Sequence, residues 1–432
     1  MLVVGRSKNS VLIVSYHFPP VQGSSGVHRI LALARYLGEF DWQSTILTID
    51  PKAYPRSDDA NVSLVPGHTK VIRCFGLDTK RHLAIRGRYP SVLAVPDRWQ
   101  SWIPSGVATG LRLVRESAPN VIVSSFPIAS AHVIARTLHR RTGIPWIADM
   151  RDPMVLDNHP PPGIVRRTYE ALEDSAFREA ARVIVTTPGA ASLYKTKYPE
   201  YASEKIRVIE NGVDSEMFDR IRSDTTPATH GSGVCILHSG LIYPEARDPR
   251  PLFSALASLL TSREIGEGEV TVTFRASGQE YFILEAAGRF GLNGMVRVEP
   301  AIAYESAIRE MLTTDSLLLI QSAACNSQIP AKAYEYLYSG KPILALTSPE
   351  GDTGRLLRRF PNCDVVALED TARIEPTLRR HIGRLRTGNS GKREDAELAK
   401  LSRRGRTGAF AEVLDDVAGL KRRSAGTAVF HG

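Results

Sequence analysis

S-Q-I-P-A-K-A-Y-E-Y-L-Y-S-G-K-P-I-L-A-L, residues 327–346, reads as a loop, a short helix and a buried strand in direct succession. Pro330 suits the first position of a helix, where its missing N–H costs nothing. Gly340 suits the residue just past the helix end, and Pro342 forbids any continuation. Ile343–Leu346 is a short apolar run of the kind buried on both faces of a sheet. The helix start offers N–H groups and a partial positive charge, which suits a diphosphate. Lys332 falls in the first turn. Glu335, nearly one turn on, is an acceptor-only carboxylate able to take two hydrogen bonds from a vicinal diol such as a ribose.

The segment K-A-Y-E-Y-L-Y-S-G-K-P-I-L resembles the donor-binding helix of GT-B glycosyltransferases, in particular the family 4-type retaining enzymes. In that family a Glu ahead of a small-residue–Gly–x–Pro turn holds the ribose of a sugar nucleotide, and Glu335 matches it. A second Glu, eight residues earlier, commonly touches the donor sugar; Ser327 stands there in this chain. The resemblance implies an α/β fold of GT-B type, two Rossmann-like doubly wound domains facing each other across a cleft. It also implies donor contacts from Ser327, Gln328, Ile329, Lys332 and Glu335.

At 432 residues the chain is long enough for two full cores, and 43% apolar with 23% charged content is that of an ordinary folded protein rather than a disordered one. No apolar run reaches the roughly 20 residues of a membrane helix, and the N-terminus lacks a signal-peptide core. Cys74, Cys235, Cys325 and Cys363 lie far apart without metal-ligand spacing, so a reduced cytoplasmic setting is expected. The formal charge of +9 comes with a late basic cluster, Arg379, Arg380, Arg384, Arg386, Lys392, Arg393, Arg403, Arg404, Arg406 and Lys421–Arg423. No nucleic-acid module accompanies it. It reads either as a contact for an anionic membrane surface, with the protein peripheral on the inner face, or as a solvated face.

Taken in order, Val11–Ser15 is a strand pattern followed by Y-H-F-P-P-V-Q-G-S-S-G-V-H-R and a helix carrying Ile30, Leu33, Ala34 and Leu37, with Gly38 as its stop. Gly23, Ser24, Ser25 and Gly26 resemble the family's first glycine loop, between donor phosphates and acceptor, and the resemblance makes them donor-binding candidates that would hold the diphosphate together with the helix at Pro330. Thr45–Ile49 reads as a strand and 50–88 as an irregular connection. Trp99 and Trp102 could stack on a sugar or pack in a core. Pro145–Asp149 is a strand ending in D-M-R-D-P, where parallel sheets bind ligands. Asp149, Arg151 and Asp152 are therefore catalytic candidates facing a crevice, or else a structural Arg–Asp network. The family often carries a histidine near the reacting sugar at this strand end. His132 reads as packing.

N-G-V-D-S-E-M-F after the Ile206–Ile209 strand resembles the family's inter-domain hinge. A second strand–helix series opens with Val234–His238 and S-G-L-I-Y-P-E-A-R. There Gly240 and Arg247 are donor candidates, Leu241 standing where the family has an arginine. Further strands fall at Val270–Ala276, Val296–Glu299 and Ser316–Ile320. The expected organisation is an acceptor-side domain over 1–213, a linker over 214–232, a donor domain over 233–395, a helix over 396–420 returning to the first domain, and a basic frayed tail over 421–432. The implied activity is transfer of a hexosyl unit from a nucleotide-diphosphate sugar to a glycan or lipid-linked acceptor in cell-surface polysaccharide synthesis, a retaining one by resemblance alone, with no metal and no other cofactor. A sugar-nucleotide epimerase of the same fold and a non-catalytic sugar-nucleotide-binding module remain as alternatives.

Overall fold

The computed structural model describes residues 9–21, 26–57, 59–156, 159–225, 233–388 and 395–420. The chain forms two compact units. Met1–Thr186, Ala190–Glu210 and Arg404–Gly432 make the first; Thr187–Gly189 and Asn211–Arg403 make the second.

The first unit is built on a parallel seven-stranded sheet in the order β3-β2-β1-β4-β5-β6-β7. Its strands are β1 (Asn9–Ser15), β2 (Trp42–Ile49), β3 (Lys70–Cys74), β4 (Val121–Ser125), β5 (Trp146–Arg151), β6 (Arg182–Val185) and β7 (Ile206–Val208). A strand covered by helices on both faces must be apolar along its whole length. Accordingly every residue of β4 and β5 is buried. Alternate side chains of β1 serve opposite faces: Leu12 and Val14 join a core with Trp102, Ile134, Trp146 and Phe177. Val11 and Ile13 join another with Ile30, Leu33, Trp42, Phe410 and Leu414. The last two belong to the helix Arg403–Val417, and Trp42 Nε1 donates to Asp415 at 2.8 Å, fixing that helix on this face.

The second unit repeats the plan with six parallel strands, order β10-β9-β8-β11-β12-β13. They are β8 (Val234–Ser239), β9 (Val270–Arg275), β10 (Val296–Glu299), β11 (Ser316–Ile320), β12 (Ile343–Leu346) and β13 (Cys363–Val366). Leu318, Ile320, Leu344 and Leu346 face one core, and Leu317, Leu319, Ile343 and Ala345 the other. The helix Ala331–Ser339 lies in the latter. Tyr334 and Tyr336 are fully covered there, each large buried side chain contributing roughly 1.5–3 kcal/mol. Gly340 ends this helix at φ 78°, a left-handed conformation that glycine takes without a Cβ penalty.

Several sequence expectations shift. Pro330 sits just ahead of the helix rather than in its first turn, at ψ 143°. Gly38 does not stop the first helix: the chain tightens through a 3-10 turn, Leu37–Phe40, and breaks at Asp41, φ 61°. The segment 50–88 is not wholly irregular, because K-V-I-R-C forms the edge strand β3; an edge strand buries one face and leaves a weak apolar signal. Ser215–Ser223, expected within a linker, is a helix, since Asp214 accepts from the Met217 N–H and Phe218 and Ile221 are buried. The anticipated tail over 421–432, with Lys392 and Arg393, lies outside the described residues. Trp102 is fully buried, and Trp99 packs on Tyr16 at 4.4 Å while donating to Ala53 O, so both tryptophans are spent on packing.

Candidate functional site

In each sheet the strand order reverses between its first and fourth strands, and loops leaving such neighbours diverge and open a crevice at their carboxyl ends. In the second unit those strands are β8 and β11. The chain leaves β8 through Ser239 and Gly240, and leaves β11 through the loop that leads into the helix Ala331–Ser339. Lys332, in that helix's first turn, reaches back to β8: its ammonium lies 3.1 Å from Nε2 of His238. The other ring nitrogen of His238 meets Leu318 O at 3.0 Å. A neutral imidazole that donates from Nδ1 to the carbonyl and accepts at Nε2 from the ammonium satisfies both contacts. Burial first, then the positive field of Lys332, holds His238 well below the usual imidazole range, which maintains that neutral form.

Gly240 has φ 105°, and a Cβ on it would come within 3.2 Å of the Lys332 ammonium, so glycine is required both for the turn and for the space. Burial and the neighbouring Arg247 push Lys332 down to about 7. Arg247 stacks on Tyr243, 4.8 Å from the ring centre, and donates to Leu241 O at 2.7 Å. Lys332, Arg247 and Gly240 are thus brought together, with a helix N-terminus beside them. His238 was missed in the sequence. Its signal was available, a histidine at the carboxyl end of a central strand immediately before S-G.

Glu335 is 8% exposed. Tyr304 donates its hydroxyl to Glu335 Oε1 at 2.7 Å, and Arg403 Nη2 lies 3.9 Å from the same oxygen. The carboxylate is therefore held through Oε1, and among the described residues Oε2 has no partner, so it can accept from a ligand. Nothing local in the sequence points to Tyr304 or Arg403. The loop candidates ahead of the helix act through the backbone. Gln328 O accepts from Gln321 Nε2 and Thr353 Oγ1, and Ser327 O accepts from Thr187 Oγ1 at 2.7 Å. Ile329 is a correction: its side chain is buried in the core, so it offers a ligand no side-chain surface.

In the first unit, Asp149 is fully buried, and its two oxygens face Arg29 through a bidentate pair, Nε–Oδ2 and Nη2–Oδ1 both 3.0 Å. Ser125 Oγ adds a third bond at 3.1 Å, and Arg29 also donates to Ile209 O and Glu210 O. The expectation that Asp149 faces a crevice is thereby corrected: this carboxylate joins β4, β5 and the first helix. Arg151, on the other hand, is turned away from its strand at φ 56°, where the β5–β6 register shifts. Its guanidinium lies over Gly26, so two candidates far apart in sequence meet. Asp152 follows immediately, and burial raises its carboxyl above the usual range. Gly23, Ser24 and Ser25 lie outside the described residues. His132 packs as anticipated, its Nδ1 2.6 Å from Ser124 Oγ, and burial pushes it down to about 4.

The late arginines are largely paired. Arg379 meets Glu264 and Glu375, Arg380 and Arg384 meet Asp364, Arg386 meets Glu269, Arg404 meets Glu39 and Arg406 meets Glu210. Among the described residues, no helix is long and apolar enough to cross a membrane.

Residues 26–212 match the model of the glycosyl transferase 4-like domain. The structure is similar to sucrose-phosphate synthase from Thermosynechococcus elongatus, with 14% identity over 95% of this chain and 97% of that one, TM-score 0.61. It is also similar to Anabaena HepE in complex with UDP-glucose, with 15% identity over 94% and 99%, TM-score 0.64. A third similar structure is an alpha,alpha-trehalose-phosphate synthase (UDP-forming) from Burkholderia vietnamiensis, with 13% identity over 95% and 99%, TM-score 0.64. Compared by sequence, no curated protein matches. The paired parallel sheets share the GT-B fold of these structures, and the first unit carries the match to the glycosyl transferase 4-like domain.

Proposed function

We propose that the protein transfers a hexosyl unit from a nucleotide-diphosphate sugar to a glycan or lipid-linked acceptor in cell-surface polysaccharide synthesis, with retention of configuration. The single observation that carries the donor reading is the convergence of Lys332, Arg247 and Gly240 at the switch point of the second sheet. A diphosphate there would meet two cations and a helix N-terminus, while Glu335 would take a ribose hydroxyl one turn further on. Such groups stabilise a departing nucleoside diphosphate, the charge that grows as the sugar acquires oxocarbenium character. Arg247 offers the charge that Leu241 lacks, which favours the enzymatic reading over a non-catalytic binding module. The binding of UDP-glucose by the similar Anabaena protein supports a nucleotide sugar as donor.

A weak contact with an anionic membrane surface is part of the proposal on sequence grounds, through Lys421, Arg422 and Arg423. Incubation with UDP-, GDP-, ADP- and dTDP-sugars, followed by assay for free nucleoside diphosphate, tests the activity. Slow hydrolysis of one of them is expected. Binding without any release would leave only the non-catalytic module.

A further inference from the structure

The second sheet has a cavity of about 390 Å³ at the end opposite the donor crevice, lined by Arg222, Asp315, Ser339, Lys341, Pro342 and Arg384 among others. Asp315 directly precedes β11 and Pro342 directly precedes β12, so the cavity lies at the amino ends of these strands. Its volume is in the range of small-molecule sites.

Cations often gather where helices end, because the last carbonyls there carry negative charge. Two helices end at this cavity, Ala331–Ser339 and Thr371–Arg386. Their terminal carbonyls, however, already have donors. Arg222 gives Nη2 to Tyr338 O at 2.7 Å and Nη1 to Ser339 O at 3.4 Å. Asn362 Nδ2 serves Lys341 O at 2.8 Å, and Thr387 Oγ1 serves Arg384 O at 3.0 Å. Pro342 O accepts from Ser316 Oγ at 3.0 Å, and Asp315 from the Cys235 N–H at 2.8 Å.

What is left over is positive. No carboxylate among the described residues comes within ion-pairing distance of Lys341. Burial pulls this lysine below its usual range, and Arg222 adds to the fall against the opposing field of Asp315. Arg384 holds Asp364 through Nη2, but its Nε is buried without a partner among the described residues. Asp364 is shared with Arg380 and His381 as well. An ammonium and guanidinium groups around one cavity suit a phosphate, which accepts from a point charge and from a planar fork alike.

We propose that this cavity binds the phosphate group of a small phosphate ester, with Lys341 as its main counter-charge and Arg222 and Arg384 beside it. The site shares no residue with Lys332, Arg247 or Glu335, and it stands or falls independently of the donor reading. Helix Ala331–Ser339 runs between the two places, Lys332 in its first turn and Ser339 at its end.

Calorimetric titration with glycerol phosphate tests this, with glycerol as the neutral control. It is run on Lys332→Met, which removes the ammonium of the donor crevice and with it a competing phosphate contact. The ester should bind this variant and glycerol should not. Adding Lys341→Met should weaken the ester by about ten- to a hundredfold, whereas Lys341→Arg should keep most of the affinity. On the native protein, the ester should slow acetylation of Lys341 by acetic anhydride, read by mass spectrometry, and this decides the matter if a variant does not fold. Affinity unchanged by Lys341→Met, no binding to Lys332→Met, or acetylation of Lys341 at one rate with and without the ester would each overturn the proposal.

Discussion

The ammonium of Lys332 lies 3.1 Å from Nε2 of His238, 94 residues earlier in the chain, and this contact ties the helix after β11 to the end of β8. A lysine whose ammonium meets a neutral ring and feels the charge of Arg247 is poorly stabilised while no anion is bound. Burial and Arg247 accordingly push it down to about 7.

Nucleotide affinity should therefore depend on pH. A bound diphosphate favours the charged ammonium, so affinity is full below the Lys332 pKa and falls as pH rises above it. Between pH 7 and 9 we expect a loss of about tenfold, measured by titration calorimetry. In Lys332→Met this dependence should vanish and affinity should be low throughout. The same variant should gain stability at pH 7, because a lysine whose folded pKa is depressed costs most where the unfolded chain would be protonated. That cost fades as pH rises from about 7 towards the ordinary lysine range.

Asp149→Asn should act on stability before chemistry. The substitution leaves Arg29, 9% exposed, facing a neutral amide in place of its bidentate carboxylate. Breaking a buried pair costs about 3 kcal/mol at the low end, a fall in Tm of roughly 6–12 °C for a unit of this size. Nucleotide affinity of the folded variant should be unchanged, since Asp149 and Lys332 belong to different units. A melting curve like that of the native protein, with turnover lost, would return Asp149 to the catalytic role expected from the sequence.

Chelation should leave turnover nearly unchanged. Lys332, Arg247 and a helix N-terminus supply the positive charge that a divalent cation would bring to a leaving diphosphate. Assays with and without EDTA check this, and a large loss restored by Mg²⁺ or Mn²⁺ would contradict it.

How far the sequence reached depends on the range of each interaction. The helix Ala331–Ser339 and the strand after it were legible because a proline, a glycine and an apolar run act within twenty residues. Glu335 came with them, through its resemblance to a known donor helix. Its holders, Tyr304 and Arg403, arrive from distant elements and left no local mark. Asp149 illustrates the opposite error: a carboxylate at a strand end looks exposed until Arg29, 120 residues away, is seen to occupy it. The partners of the basic cluster were equally hidden, because the carboxylates that meet Arg379 and Arg386 come from Glu264 and Glu269, more than a hundred residues earlier.

Binding to anionic vesicles should consequently be weak. Each Lys or Arg near a charged surface contributes about 1 kcal/mol, and most late arginines already face carboxylates. Sedimentation with anionic vesicles should recover a minor fraction at low salt and none at high salt. Strong retention at both would point to a contact other than these charges.

The central claim is that the second unit holds a sugar nucleotide with Glu335 on the ribose. Titration of the native protein and Glu335→Gln, each with the nucleoside diphosphate that binds and with its 2′,3′-dideoxy counterpart, tests it most directly. Tyr304 can still donate to the remaining amide oxygen, so the variant should keep its fold. Its other atom becomes a donor where the ribose needs an acceptor, and hydrogen bonds to a charged group are worth roughly 1.5–3 kcal/mol. Affinity for the ordinary nucleotide should drop by about ten- to a hundredfold, while the dideoxy compound should bind both proteins alike. Equal weakening of both compounds would make Glu335 a packing residue and contradict the donor site placed at this helix.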